Sequence, residues 1–319
     1  KINKFNKVIH QFFPIDSNFL IKKFLNYWKP SKALFIDSEF WPNTIMQLKQ
    51  KKIPIILING RITKKTFNRW NKFSNFSKKI FSKFDLCLSS SKESFRYLKR
   101  LNFKNVKFIG NLKYSQAELE NLDINKNLKK FLSNKKTWCA SSTHYPEELF
   151  VAQAHKILKK KIKNLITIII PRHAERYSAI KKDLEKLDLK VQLDKPKKKI
   201  DSNTEIYLVN SYGKTKSFYK ICNNIFLGGS LIKHGGQNPI EAARYGCSII
   251  NGHNVHNFKE IYEFLKKNNI STYIKKNKEL INQLNILFNK QSNSKIIQNK
   301  IKTIGDKILK RTYDEIFIT

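Results

Sequence analysis

A chain of 319 residues with 40% hydrophobic side chains and 23 phenylalanines holds enough apolar material for two domains with cores, which excludes an intrinsically disordered polymer. Its 63 Lys and Arg against 24 Asp and Glu leave a formal charge of +39, a balance that points to nucleic acid, an anionic membrane or an acidic substrate. Lysine, asparagine and isoleucine are raised together along the whole chain, so the charge reads as compositional bias on a solvated surface, and no basic stretch carries the interleaved aromatics of a single-strand binding platform. Cys87, Cys139, Cys222 and Cys247 stand far apart with no Cys-x-x-Cys pair, which argues against a zinc ribbon and for reduced, mostly buried thiols in a cytoplasmic protein. No apolar run reaches the roughly 18 to 20 residues that span a bilayer. The chain opens on Lys1 with no signal peptide, and its true N-terminus is expected upstream.

Short apolar runs bounded by turn residues alternate with stretches of helical period, the pattern of parallel sheets built from βαβ units. The first strand is expected at 33–36, followed by Asp37-Ser38-Glu39-Phe40-Trp41-Pro42-Asn43. Two carboxylates on alternate residues at a strand end suit orienting a hydroxyl or stabilising positive charge, and equally a capped turn into the next helix. A second strand at 53–58 leads into Asn59-Gly60-Arg61, where arginine beside glycine suits an anionic group. Strands at 86–88 and 106–109 follow, and the last delivers Gly110-Asn111-Leu112-Lys113. Residues 1–115 thus read as a first Rossmann-like domain built on one open α/β sheet, and 116–135 as a polar, lysine-rich connector.

Residues 136–319 repeat the pattern, with strands expected at 137–140, 165–170, 206–209, 225–227 and 248–250. Ala140-Ser141-Ser142-Thr143-His144 opens this part, with Glu147 and Glu148 in a first helical turn; hydroxyls there are helix caps or phosphate ligands. Pro171-Arg172-His173-Ala174-Glu175-Arg176 follows the next strand, and an Arg-His pair at a strand end is good phosphate chemistry. Four of the ten glycines then fall within 227–240. Here a strand enters a loop whose backbone can approach a ligand closely, and a helix is expected with Asn238 as N-cap, Pro239 at N1 and Glu241 at N3. Such a helix start is an anion and nucleotide site, or a capping-box variant that serves only the helix. Ligands bind doubly wound sheets at the carboxyl ends of strands, where nearly all these candidates fall. Two Rossmann-like domains with parallel sheets and motif-bearing strand ends describe an α/β enzyme of the GT-B glycosyltransferase type, working across a cleft. The segment 275–319 is helical and charged, placed to pack back across the domains, and carries no chemistry.

Taken in order, Asp37-x-Glu39-x-Trp41-Pro42-Asn43, Asn59-x-Arg61, Gly110-Asn111-x-Lys113, the stretch from Ser141 to Glu148, Pro171-Arg172-His173-x-x-Arg176 and Gly228-Gly229-Ser230 through Gly235-Gly236-x-Asn238-x-x-Glu241 resemble the 3-deoxy-D-manno-octulosonic acid (Kdo) transferase family of lipopolysaccharide synthesis. The resemblance runs from Phe13 to about Leu265. It implies a metal-independent, inverting GT-B enzyme that moves Kdo from CMP-Kdo to the lipid A precursor, lipid IVA, with CMP-Kdo as donor substrate and no cofactor. It also implies a place at the cytoplasmic face of the bacterial inner membrane, peripheral or anchored through an upstream segment, and no specific nucleic acid partner.

By match to the family's motifs, Pro171, Arg172, the Tyr212-Gly213-Lys214 turn, Gly229, Ser230 and Asn238-Pro239-Ile240-Glu241 would hold CMP, and Glu39 and Lys113 would stabilise the transition state. Those residue types fit, because CMP departs as an anion while the sugar becomes oxocarbenium-like and welcomes a carboxylate. The family's general base, a glutamate in a Gly-Glu segment, would lie upstream of Lys1 together with the membrane anchor, so this stretch is expected to be catalytically incomplete. Lys214 stands where the family commonly has glutamate, Asp37 replaces a glutamate, Gln237 a histidine and His253 a proline. The alternatives are another GT-B enzyme using a UDP- or GDP-sugar, which is not expected to carry both Trp41-Pro42-Asn43 and Pro171-Arg172-His173, and a basic nucleic-acid-binding protein, which leaves the glycine loop idle.

Overall fold

Among the described residues every strand pair is parallel, and the strands form two separate sheets of four and seven. The structure is a computed structural model that describes residues 7–115, 125–194 and 200–318. The chain divides into two units, residues 1–112 with 306–319, and residues 113–305.

The first unit carries β1 (Ala33–Ile36), β2 (Ile55–Gly60), β3 (Leu86–Ser89) and β4 (Val106–Phe108) in that spatial order. The inner strands β2 and β3 are buried at every residue, which is why they read as unbroken apolar runs, whereas Leu34, Ile36 and Phe108 of the outer strands are exposed. An aromatic cluster fills the core: Phe81 stacks on Phe103 at 4.6 Å and meets Phe40 edge-on at 5.0 Å. Phe40 therefore pins the loop that displays Glu39 and Trp41. The helix Pro42–Gln50 that follows receives no side-chain cap from its own N-cap residue, Trp41. Asp16 supplies it instead, accepting from Asn43 N at 3.0 Å, Thr44 N at 2.8 Å and the Thr44 hydroxyl at 2.7 Å.

The tail departs from the expected division. Residues 306–319 cluster with the first unit although they follow the second in sequence. The contacts explain it: Ile308 packs on Gly110, where a Cβ would lie 2.9 Å from Ile308 Cδ1. Glu315 pairs with Lys107 at 2.6 Å, and the Ile316 carbonyl accepts from Lys32 Nζ at 2.7 Å. The expected connector is in part a helix, Lys126–Leu132, capped by Asn125 and burying Leu128 and Leu132, within the second unit; residues 116–124 lie outside the described residues.

The second unit holds β5 (Lys136–Thr143), β6 (Leu165–Pro171), β7 (Val191–Leu193), β8 (Ile206–Leu208), β9 (Asn224–Leu227), β10 (Ser248–Asn251) and β11 (Ser271–Tyr273), ordered β11-β10-β9-β5-β6-β8-β7. From β5 the chain builds outward through β6 to one side, then returns to lay β9, β10 and β11 on the other. The direction of winding thus reverses between β5 and β9, the topological switch point at which doubly wound sheets open a binding crevice. Trp138, Ile169, Leu208 and Phe226 lie among the buried residues that pack the sheet against its helices. All four cysteines are buried and free, and burial pushes their thiols up. Among the described residues no helix is long and apolar enough to cross a membrane.

Candidate functional site

At the switch point the ends of β5 and β9 come so close that only glycine fits. A Cβ on Gly228 would lie 2.5 Å from the Ser142 carbonyl oxygen and 2.6 Å from Thr143 Cα. Glu147, 1% exposed in the first turn of the helix Glu147–Lys159, fills the space inside the loop. Its carboxylate accepts four backbone N–H groups: Gly229 at 2.7 Å, His144 at 3.0 Å, Leu231 at 3.0 Å and Ser230 at 3.1 Å. Burial raises the Glu147 carboxyl, and the four donors pull against that rise. The glycine loop is an anion nest whose anion is the protein's own side chain.

In that geometry the polar groups of Gly229 and Ser230 are engaged within the loop. Their N–H groups point inward to Glu147, the Gly229 carbonyl accepts from Gly236 N at 2.8 Å, and the Ser230 hydroxyl donates to Leu227 O and accepts from Gly252 N at 2.8 Å. Both build the loop and offer no polar group outward, because each is already bonded within it.

Arg172 stands where the sequence put it, immediately after buried Pro171 at the end of β6, with its own N–H donating to Thr143 O at 2.9 Å. Its side chain is exposed. Arg176 plays a different part: it pairs at 3.1 Å with Glu148, which is 3% exposed and also accepts from the Thr143 hydroxyl at 3.0 Å. One arginine is spent on structure and the other is presented.

Tyr212 is exposed and its hydroxyl donates to Glu175; that bond raises the Tyr212 pKa. Gly213, at φ +82°, turns the chain with open space around it. Lys214 answers the question its sequence raised. Its Nζ lies 2.5 Å from Asp194, 8% exposed, which also accepts from the Tyr207 hydroxyl at 2.7 Å, so the reversed charge is matched by a buried carboxylate.

The helix after the glycine loop begins later than expected. It runs Ile240–Arg244 with Pro239 as its N-cap residue rather than N1. Asn238 still caps it, accepting from Ile240 N at 3.1 Å, while Glu241 faces Lys216 at 3.8 Å and, among the described residues, makes no bond back to close a capping box. Ile240 and Pro239 are buried anchors of this turn.

In the first unit, Glu39 is exposed after β1, and its carboxylate has no hydrogen bond among the described residues. Asp37 beside it, at φ +58°, is held by Asn59 Nδ2, and Asn59 Oδ1 in turn accepts from Leu112 N at 3.0 Å. One buried asparagine therefore ties together the ends of β1 and β2 and the segment after β4. Lys113 follows at once, exposed in the short turn Leu112–Ser115, and is the first residue of the second unit. Glu39 and Lys113 thus belong to different units rather than to one sheet. Sequence reasoning missed the parts played by Asp16, Glu147 and Asp194; the available signal was the scarcity of acids in this lysine-rich chain. Among the described residues no group of three or more His, Cys, Asp or Glu is arranged to hold a metal ion.

The family model described as 3-Deoxy-D-manno-octulosonic-acid transferase (kdotransferase) matches residues 2–116. The 3-deoxy-D-manno-octulosonic acid transferase of Rickettsia bellii is 31% identical over 294 residues, 91% of this chain and 69% of that protein. Its Haemophilus influenzae counterpart is 30% identical over 266 residues, 82% of this chain and 62% of that protein. The chain therefore spans less than two thirds of the second relative and little more than two thirds of the first. Among solved structures, the C-terminal CMP-Kdo binding domain of WaaA from Acinetobacter baumannii aligns at 22% identity and TM-score 0.50, over 57% of this chain and 93% of its own. A putative UDP-N-acetylglucosamine 2-epimerase from Listeria monocytogenes aligns at 13% identity and TM-score 0.62, over 95% of this chain and 79% of its own. These likenesses show the fold, a pair of Rossmann-like units of the GT-B type.

Proposed function

This chain belongs to the 3-deoxy-D-manno-octulosonic acid transferase family, and from that premise we propose that it takes part in the transfer of Kdo from CMP-Kdo to the lipid A precursor, as an inverting, metal-independent glycosyltransferase. The observation that carries the donor half of this reading is Arg172, an exposed guanidinium at the end of β6 whose own N–H is bonded to Thr143 at the end of β5, one of the two strands of the switch point. A guanidinium fork favours an anionic phosphate and keeps it bound as it leaves. Pro171 fixes the strand end behind Arg172, and Tyr212 and Gly213 form an open rim suited to the nucleoside. Lys214, paired with Asp194, contributes a polar wall of no net charge.

Glu39 and Lys113 are the proposed transition-state groups. A carboxylate stabilises the oxocarbenium-like sugar and an ammonium the departing phosphate. The proton of the acceptor hydroxyl goes to a base supplied from outside the residues discussed. Exposed Phe12, Phe19 and Tyr27 lie near Lys22 and Lys23, a mixture that suits attachment to an anionic leaflet and supports a place at the cytoplasmic face of the inner membrane.

Calorimetric titration with CMP, UDP and cytidine tests the donor reading. CMP should bind more tightly than UDP, unaffected by EDTA. Arg172→Ala should weaken CMP by about thirtyfold, the loss of a charge-assisted contact worth about 2 kcal/mol. Equal affinity in the variant removes Arg172 from the phosphate site, and preference for UDP redirects the donor assignment to another GT-B chemistry.

A further inference from the structure

His144, His234 and Gln237 converge on Gly229 from two segments of the second unit. A Cβ on Gly229 would lie 3.3 Å from Gln237 Nε2, 3.3 Å from His234 Nδ1 and 3.4 Å from His144 Cδ2. The rings of His144 and His234 overlap with centroids 4.3 Å apart and planes tilted by 34°, and His173 meets His144 edge-on at 5.8 Å. Gln237 Nε2 is 3.4 Å from His144 Nε2. With the Gln237 amide assigned as the donor, His144 Nε2 accepts and the ring carries its proton on Nδ1.

The charged neighbours of His144 are one-sided. From the loop after β6 come Arg172, His173 and Arg176, and from the glycine loop His234. The carboxylates close by are engaged elsewhere: Glu147 on four backbone N–H groups, one of them that of His144, Glu148 on Arg176, and Glu175 on Tyr212 with His173 3.5 Å away. Burial first, then these basic neighbours, push the His144 imidazole down to about 4. The half-buried ring is therefore neutral at physiological pH, in a place that lacks one negative charge.

We propose that His144, His234 and Gln237, beside Arg172, form a subsite for an anionic oxygen group of the nucleotide-sugar donor, and that filling it transfers one proton from solvent to His144 Nε2. The inference rests on the donor reading given above. Once Nε2 carries a proton it faces the amide of Gln237, donor against donor, and an anionic oxygen between them gives both an acceptor. The bound charge also offsets Arg172, which lifts the imidazole back toward its ordinary range. Binding should thus strengthen as pH falls from 7 toward 5.

The test is titration of CMP into the whole 319-residue chain at pH 6 in buffers of differing ionisation enthalpy. Measured against His144→Gln, whose titration gives the protons exchanged by the CMP phosphate itself (second pKa about 6), about half a proton or more should be taken up per CMP, and none with cytidine, which places the phosphate in the subsite. Uptake that appears only when free Kdo accompanies CMP also upholds the subsite and assigns it to the sugar carboxylate. Proton exchange equal to that of His144→Gln while CMP binds, with and without Kdo, overturns the subsite alone; no CMP binding in any buffer overturns the donor reading and the subsite together. His144→Gln should keep only the exchange of the phosphate itself and weaken CMP about tenfold at pH 6 with its thermal midpoint kept, and uptake equal to the parent chain's refutes the role of His144. His234→Gln, at an exposed ring, removes one of the neighbours that lower His144, so uptake should move to higher pH; an unmoved profile counts against the proposal.

Discussion

Replacing Glu147 by glutamine keeps the shape of the side chain and takes away one of its two acceptors. Oε1 accepts from Ser230 N at 3.1 Å and Leu231 N at 3.0 Å, and Oε2 from Gly229 N at 2.7 Å and His144 N at 3.0 Å. Whichever way the new amide turns, its NH2 faces two backbone donors, and two buried N–H groups lose their partner. A hydrogen bond to a charged group contributes about 1.5 to 3 kcal/mol, so the direct loss is about 3 to 6 kcal/mol. Part is returned because a buried charge no longer has to be desolvated. A net cost of about 2 to 4 kcal/mol is expected, since two stranded donors remain.

The two units need not unfold together, so the local measurement decides. Hydrogen exchange at Gly229, Ser230 and Leu231 should be slow in the parent chain and at least about a hundredfold faster in Glu147→Gln, the factor that about 3 kcal/mol implies. Glu263→Gln, an exposed partner in an i,i+4 ion pair, serves as control and should change nothing. If Glu147→Gln leaves those amides protected and the urea midpoint of the second unit unchanged, the carboxylate does not organise the loop and the reasoning fails.

Lys214→Glu brings in the residue type that the resemblance leads one to expect, yet here it should destabilise by about 1 to 3 kcal/mol, because it sets a second carboxylate against buried Asp194. Adding Asp194→Asn should recover most of the loss in thermal unfolding, and a neutral single variant would show that Asp194 does not dictate the lysine. Asp16→Ala should cost about 1 to 2 kcal/mol by uncapping the helix Pro42–Gln50, while Glu39→Gln leaves stability unchanged. Denaturant curves that reverse this order would return the cap to Glu39 and weaken its proposed part in catalysis.

Strand positions were legible because the central strands of parallel sheets are buried on both faces. β2 and β6 are buried at every residue and stand out as apolar runs between turns. The edge strands β7 and β11 were not, since Val191-Gln192-Leu193 and Ser271-Thr272-Tyr273 are three residues each, partly exposed and without a readable period. The placement of residues 306–319 was hidden for another reason. Ile308 and Glu315 find Gly110 and Lys107 some two hundred positions away, and local pattern holds no record of so distant a contact. Lys214 looked like a charge reversed in a pocket until Asp194 appeared beside it, because complementarity between residues twenty apart belongs to the fold alone.

The glycine loop shows where reading by residue type stops. Clustered glycine predicts that backbone N–H groups will be approached closely by something negative, and they are. The approaching group is Glu147, and an internal carboxylate asks of the backbone what a ligand's phosphate asks, so spacing alone does not distinguish them. The consequence reaches the site itself. With the loop's N–H groups spent within the protein, a donor anion is left, in the proposed reading, to the exposed Arg172 and the imidazoles of His144 and His234.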